Sequence, residues 1–217
     1  MQEINQTKEN KKMTLVFTYG TLKKGFINNH YMKRGIYLGS AKIKKQQPSL
    51  YNETAKEFDY YQIIIDKKYS VPYLFSLKKI KQEEKSFNHL HPEKVNHVKG
   101  DLFLLDDQSL EILDDFEGVP NFYNRQPLDV LVKQGNGEDI EEKNNDIKEM
   151  KQKLNQYKIP YFQNKDGIEL TAQVYTCNIN IKKYFGGFEK EVHSEYSLKD
   201  NDRFVDPDTD DVFGELD

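Results

Sequence analysis

The spacing of short apolar runs is the feature that most restricts the fold of this 217-residue chain. Seven runs rich in β-branched and aromatic residues are joined, for the most part, without long helical segments. They lie at residues 15–19, 36–43, 60–65, 73–75, 95–105, 127–132 and 168–177. Because a parallel pair needs a crossover of about a dozen residues or more, this spacing favours antiparallel pairing. We predict an antiparallel barrel or strongly curled sheet with one or two helices.

Polar segments flank and interrupt these strands. We predict one domain that is preceded by a polar leader and followed by an acidic, poorly ordered tail. Within the domain we predict a solvated loop and an exposed, partly helical insertion, in which polar residues are most frequent over residues 134–158. The corresponding ranges are 14–205 for the domain, 1–13 for the leader, 78–94 for the loop, about 134–165 for the insertion and 206–217 for the tail.

Composition and charge exclude several classes of protein. Aromatic residues make up 12% of the chain, so it is not disordered throughout. The net charge is -4 with both signs intermixed, which argues against a nucleic-acid partner. The leader lacks the apolar core of a secretory signal, and no apolar run approaches the roughly 20 residues that span a bilayer. We expect a soluble, cytoplasmic monomer without a membrane partner. Cys177 is the single cysteine and is predicted to be a small core residue.

One helix is predicted between residues 107 and 118. Asp107 is its predicted N-cap, Leu110 and Leu113 repeat at helical spacing with Ile112 and Phe116 widening the apolar stripe, and Gly118 and Pro120 end it. The same period places Glu117 on the face that should be buried.

A carboxylate in that position loses hydration. In the last turn it also meets the negative end of the helix dipole, which costs about 0.3–1 kcal/mol at an exposed site. Both effects raise the pKa of Glu117, as a general base working near neutrality requires. The alternative is a frayed last turn in which Glu117 points into water.

A second feature is the junction at Gly20, where the first strand ends abruptly in Tyr19-Gly20-Thr21-Leu22. Without a Cβ atom, Gly20 lets another group approach the backbone closely. Successive backbone N–H groups at such a turn form a concavity suited to carboxylates or phosphates. The turn and Glu117 together predict an anchored anionic substrate beside a base.

These segments resemble the γ-glutamylcyclotransferase-like family. The resemblance rests on VFTYGTLKKGFINNHYM, the VPYLF run and VKGDLFLLDDQSLEILDDFEGVPNFYNR, in that order and at similar spacing. It covers residues 14–133 well and residues 170–205 more loosely, where QVYTCN and EYSLKDNDRFVDP are similar to the closing segment of the family. Nothing in the resemblance covers the insertion.

The resemblance implies a fold, a reaction and residue roles. The fold is a small mixed α+β barrel, and the reaction is cyclisation of a γ-glutamyl amine to 5-oxoproline and a free amine. Glu117 would be the catalytic base, and Tyr19, Gly20, Thr21 and Leu22 would bind the γ-glutamyl group. Tyr123 would form a pocket wall or support for Glu117. The reaction needs neither a metal nor another cofactor.

Several other residues have competing interpretations. Tyr123 and Arg125 match a Tyr-x-Arg pattern of the family, and their simpler role is to hold the junction between helix and strand. Tyr196 is predicted to be a hydrogen-bonded surface tyrosine, although it could also cap the site. The bond between Val71 and Pro72 is a candidate for a cis peptide, and the proline restricts its strand to a sheet edge or a bend.

The histidines 89, 91 and 97 suggest a metal site. Pro92 and the surrounding polar residues predict a loop there instead, and no carboxylate partner is evident.

Other functions remain open at this point. The principal alternative is a cyclotransferase for γ-glutamyl amino acids or peptides, since sequence does not define the pocket for the leaving group. A catalytically silent binding module with the same fold is a second alternative, and a metal-dependent barrel enzyme is a third.

Overall fold

The computed structural model of the chain describes residues 11–45, 60–83, 97–133, 140–180 and 192–207. Eight strands form within these ranges, and the six predicted runs up to residue 132 and the last run each correspond to one of them. The strands are β1 (Met13–Thr18), β2 (Ile36–Ile43), β3 (Tyr61–Ile65), β4 (Pro72–Ser76), β5 (Lys99–Asp106), β6 (Tyr123–Lys133), β7 (Phe162–Asn164) and β8 (Gly167–Cys177).

Five of these strands close into a barrel. The sheet order is β1-β5-β2-β6-β8-β7, and an additional pairing of β1 with β8 closes the first five strands on themselves. The closing pair is parallel, with Val16 opposite Gln173, whereas the other pairs are antiparallel. The structure therefore confirms the mixed α+β barrel. The predicted antiparallel pairing fails only at the closure, where the two strands belong to opposite ends of the domain.

Side chains alternate between the two faces of the barrel wall. Phe17, Leu104 and Val174 belong to the interior core, whereas Val16 and Phe103 belong to a second cluster outside the wall. This alternation follows from the two-residue period of a strand. Each fully buried side chain of this size contributes about 1.5–3 kcal/mol through removal from water.

Helices cover the outside and contribute to the core. They are α1 (Leu77–Glu83), α2 (Asp107–Phe116), α3 (Ile140–Gln156) and α4 (Leu198–Asp202), together with a 3₁₀ turn at Asn29–Met32. The prediction of a solvated loop from residue 78 is wrong over α1, because Leu77 and Ile80 lie one helical turn apart and are both buried. Residues 84–96, which include His89 and His91, lie outside the described residues.

The insertion is not a purely exposed segment. Ile147, Met150 and Leu154 lie on one face of α3 and belong to the same core as the barrel interior. Their spacing of three and four residues is the helical period. The insertion therefore packs onto the domain through a narrow apolar stripe.

Strands β3 and β4 form a separate two-stranded sheet. Its residues Ile63, Ile65 and Leu74 extend the barrel core. Pro72 is the first residue of β4 and lies in a strand with one neighbour, as predicted. The cis peptide among the described residues is Val119–Pro120, so the candidate bond before Pro72 is trans.

Tyr196 is fully buried, so its predicted place on the surface is wrong. Its hydroxyl donates to the Ser70 carbonyl over 2.9 Å, and its own carbonyl accepts from the Lys23 ammonium over 2.6 Å. The closing segment is thereby tied to the loop that follows β1. Within the described residues, no helix combines the length and apolar character needed to cross a bilayer.

Candidate active site

Glu117 lies directly at the carboxyl end of α2. The N-cap of this helix is Asp106, whose carboxylate accepts from the Ser109 backbone, so the prediction of Asp107 is wrong by one residue. Leu110 and Leu113 are buried as predicted. Ile112 and Phe116, predicted to widen the stripe, are 44% and 38% exposed. The buried face of α2 is therefore narrower than its sequence suggests.

Glu117 itself is partly buried and densely surrounded by protein. Its backbone N–H donates to the Leu113 carbonyl over 3.0 Å, and the helix stops at Gly118, which has φ +62. The left-handed conformation suits glycine and turns the chain away. Glu117 is thus held at a fixed helix end, in contrast to the frayed last turn of the alternative.

Burial raises the pKa of Glu117 to about 8, and the neighbouring Asp114 carboxylate raises it further within that total. The sequence predicted that the pKa of Glu117 is raised, and it predicted burial as a cause. The second cause is a like charge three residues earlier on the same helix, which disfavours ionisation of Glu117. A carboxyl group with this pKa exchanges its proton near neutral pH.

Asp114 is held by two partners from the barrel wall. The Arg125 guanidinium donates to both of its oxygens over 2.8 and 3.0 Å, and the Tyr175 hydroxyl donates over 2.7 Å. A two-pronged arginine–carboxylate pair fixes geometry as well as charge. Arg125 therefore acts as the sequence suggested, by joining the end of α2 to β6.

Three tyrosines and one cysteine lie near enough to Glu117 to interact with its charge: Tyr19, Tyr123, Tyr175 and Cys177. Burial raises the pKa of Tyr19 and of Tyr123, and Glu117 adds to both effects. The rings of Tyr73 and Tyr123 are stacked, with centroids 6.3 Å apart and planes 9° apart. Cys177 lies opposite Tyr123 in the register of β6 and β8, and burial raises the pKa of its thiol to about 12. These residues form an apolar site that disfavours charge.

The structure brings together the predicted residues Tyr19, Glu117 and Tyr123. It adds Tyr73, which sequence reasoning missed, and Cys177, which was expected only in the core. The single local signal for Tyr73 was its place after Pro72, in a run matched by the family. The pairing that brings it to Tyr123 joins distant parts of the chain.

The turn after Tyr19 approaches β4 closely. A Cβ atom added at Gly20 would lie 2.5 Å from Cγ of Pro72, so only glycine fits without a shift. The Thr21 hydroxyl accepts from the Asn28 amide over 3.1 Å, and the Leu22 side chain packs in the cluster outside the barrel wall. The side chains of Thr21 and Leu22 thus support the turn.

The backbone of the turn at residues 20–22 has hydrogen-bond donors available for a ligand. Among the described residues, no acceptor pairs with the N–H groups of Gly20, Thr21 and Leu22. Successive unpaired N–H groups bind carboxylates and developing oxyanions. The turn therefore has the donors that anchoring an anion requires. A group of His, Cys, Asp or Glu side chains able to hold a metal is not found in the described part of the chain.

Comparison with known proteins links this geometry to a family. Residues 16–197 match the family described as "Gamma-glutamyl cyclotransferase, AIG2-like". The matched range contains every residue of the site described above.

Two curated relatives show the level of similarity. The chain is 30% identical over 120 residues to human gamma-glutamylaminecyclotransferase, which covers 55% of this chain and 63% of that protein. It is 25% identical over 124 residues to a putative gamma-glutamylcyclotransferase of Methanocaldococcus jannaschii, which covers 57% of this chain and 77% of that protein. The match therefore spans about three fifths to three quarters of these relatives.

A crystal structure of an AIG2-like protein from mouse has a TM-score of 0.48 to this chain. The two are 20% identical, and the match covers 86% of this chain and 89% of the mouse chain.

Proposed function

This chain belongs to the gamma-glutamyl cyclotransferase, AIG2-like family, and from that premise we propose that it cyclises γ-glutamyl amines to 5-oxoproline and a free amine, with Glu117 as general base. A substrate of this class is ε-(γ-glutamyl)-lysine. The α-amine of the substrate attacks its own γ-carbonyl carbon, and the bond from that carbon to the leaving nitrogen breaks.

The observation that carries the proposal is the partly buried position of Glu117 at the end of α2, which raises the pKa of its carboxyl group. With a pKa of about 8, roughly a tenth of Glu117 is ionised at pH 7. The ionised form of Glu117 is therefore basic enough to take a proton from the attacking ammonium. Its protonated form is acidic enough to give a proton to the leaving nitrogen. A carboxyl group at its ordinary pKa of 4.5 would be a much weaker base for an ammonium.

The proton balance of the reaction closes through one carboxyl group. The attacking nitrogen begins as an ammonium and loses two protons as it becomes the lactam nitrogen. The leaving nitrogen gains two protons and departs as an ammonium. Glu117 takes protons from the first nitrogen and returns them to the second, so it ends in its starting state and no covalent intermediate with the enzyme is required.

The turn at residues 20–22 supplies the second half of the proposal. Its N–H groups are proposed to hold the α-carboxylate of the substrate or the oxyanion that develops on the γ-carbonyl. Holding the glutamyl chain in its ring-closing rotamer removes part of the entropic barrier. Tyr19, Tyr73 and Tyr123 would exclude water from this step and keep the pKa of Glu117 high.

The second candidate is a cyclotransferase for γ-glutamyl amino acids or peptides, and the archaeal relative is named a putative gamma-glutamylcyclotransferase without mention of amines. The human relative is named for amines and is the more identical of the two. The candidates differ in the leaving group, since an amino acid carries an α-carboxylate next to its departing nitrogen.

We would measure release of 5-oxoproline from ε-(γ-glutamyl)-lysine and from γ-glutamyl-alanine with wild type, Glu117→Gln and the control Glu111→Gln. Glu111 is an exposed glutamate on the same helix. We expect turnover of the lysine compound by wild type and by the control. Loss of about 10²-fold or more is expected in Glu117→Gln, in line with removal of a general base.

Each other outcome changes the proposal. Turnover of γ-glutamyl-alanine alone would keep Glu117 as the base and replace the substrate class. Activity near wild type in Glu117→Gln would refute the role of Glu117. If the wild type releases no 5-oxoproline from either compound, the catalytically silent binding module would be favoured.

A further inference from the structure

A groove with a volume of about 610 Å³ lies along the outer wall of the barrel, over β2, β5 and β6. Ser40, Ala41 and Lys42 line it from β2, and Ala41 also belongs to the interior core. The alternation of a strand places the groove outside the wall. The groove has a size typical of small-molecule sites, and none of the residues around Glu117 lines it.

The groove has two ends of different charge. At one end, the ammonium groups of Lys23 and Lys99 face the carboxylates of Asp101 and Glu195. Lys99 pairs with Glu195 over 2.8 Å. Two cations and two anions balance there.

The other end carries Lys42, Lys133 and the exposed ring of His97. Among the lining residues, all of which belong to the described ranges, no carboxylate accompanies these three, although Asp166, which does not line the groove, raises the pKa of Lys42 in opposition to burial and Lys133. The nearby Lys44 adds positive charge, but it pairs with Glu169 over 2.6 Å. This end of the groove is therefore a positive site in a chain whose net charge is -4.

Mutual repulsion within the positive end supports this reading. Burial lowers the pKa of His97, and Lys42, Lys133 and Lys44 lower it further. Burial lowers the pKa of Lys42 as well, with Lys133 as the next cause. A bound anion would relieve this repulsion.

The lining also restricts what the anion carries. No Phe, Tyr or Trp side chain lines the groove, so it lacks the large aromatic surfaces on which nucleobases stack. At the balanced end, the Ser40 hydroxyl donates to one Asp101 oxygen over 3.1 Å, the Lys24 backbone N–H donates to the other over 2.9 Å, and Lys99 pairs with Glu195. Hydroxyl groups of a ligand can donate to the lone pairs that remain on these carboxylates and to the Ser40 oxygen.

We propose that this groove binds a small phosphate ester of a polyhydroxylated compound, with the phosphate between Lys42, Lys133 and His97 and the hydroxyls at the end formed by Ser40 and Asp101. The Nδ1 atom of His97 lies 2.8 Å from the Ile43 carbonyl and donates to it, which fixes the ring and leaves Nε2 for the phosphate. The site is independent of the proposed cyclotransferase reaction.

The test is calorimetric titration of the full chain with glycerol 3-phosphate, inorganic phosphate and glycerol at low ionic strength. We expect saturable binding of glycerol 3-phosphate, weaker binding of inorganic phosphate and none of glycerol. Binding should weaken as salt is added, because the contacts are ionic and accessible. In a proton NMR titration, the ester should raise the pH at which the His97 ring protonates.

Matched variants locate the site. Lys42→Ala with Lys133→Ala should reduce affinity at least tenfold. The control, Lys78→Ala with Lys148→Ala, removes the same charge from exposed positions outside the groove and should bind as wild type does. Absence of saturable binding to wild type, or equal loss in both double variants, would overturn the proposal. Equal affinity for phosphate and its glycerol ester would overturn the role given to the hydroxyls.

Discussion

Replacing Glu117 by glutamine should stabilise the fold increasingly as the pH rises. The pKa of Glu117 is raised in the folded chain, from an ordinary 4.5 to about 8. The folded state therefore binds the proton more tightly than the unfolded state does. The stability that this group contributes is complete below pH 4.5 and is lost as the pH rises to about 8. Glutamine stays neutral throughout and loses nothing.

The magnitude follows from the two pKa values. A pKa that rises from 4.5 in the unfolded chain to about 8 in the folded chain lowers the free energy of unfolding by roughly 5 kcal/mol between these two pH values. Glu117 keeps some contact with water, so we expect about half to all of that difference, or about 2–5 kcal/mol. Most of it should develop between pH 5 and pH 7, because the unfolded-state carboxyl is ionised throughout that interval and the folded one is not.

The assay is urea unfolding at pH 5, 7 and 9, followed by far-UV circular dichroism since the chain has no tryptophan. The measured quantity is the difference in free energy of unfolding between Glu117→Gln and wild type. All other titrating groups are shared and cancel in that difference. Glu111→Gln, on the exposed face of α2, should show no growth with pH. A difference for Glu117→Gln that stays flat from pH 5 to pH 9 would refute the reasoning.

Three further changes probe the same site. Asp114→Asn removes the like charge beside Glu117, so the rise of kcat/KM with pH should move to lower pH, and an unmoved profile would contradict that coupling. Gly20→Ala should lower kcat/KM by about tenfold or more, because its Cβ would lie 2.5 Å from Cγ of Pro72. Pro72→Ala in the same chain should restore most of that loss, and failure to do so would exclude this collision as the cause. Arg125→Met should lower the free energy of unfolding by about 1–2 kcal/mol by breaking the two-pronged pair with Asp114, and an unchanged urea midpoint would show that water screens the pair.

Periodicity within short segments predicted most of the elements. β2 spans residues 36–43 as expected, and α2 ends where glycine follows Glu117. The spacing of Leu113 and Glu117 placed the carboxylate towards the inner face, and in the structure Glu117 is partly buried, which raises its pKa. These features depend on neighbours within one or two turns, so the local order of residues decides them.

The sequence missed α1 and predicted α3 only as part of an exposed, partly helical insertion, because both helices have weak local patterns. α1 has two buried side chains, and α3 has three among residues 145–156, in a segment dominated by charged and amide residues. A stripe this narrow becomes an element only when a hydrophobic surface is available to cover it, since most helical stability in proteins comes from packing. The barrel provides that surface, and the sequence of the segment does not show it.

Taken alone, the sequence determined the strands, the central helix, the glycine turn and the presence of a carboxylate that loses water. Only the tertiary structure decided that β1 closes on β8 in parallel and that Tyr73 stacks on Tyr123. It also decided that Arg125 and Tyr175 hold Asp114 beside the base. The physical reason is range: backbone conformation follows from neighbouring residues, whereas desolvation and charge at Glu117 depend on groups that meet only when distant strands pair.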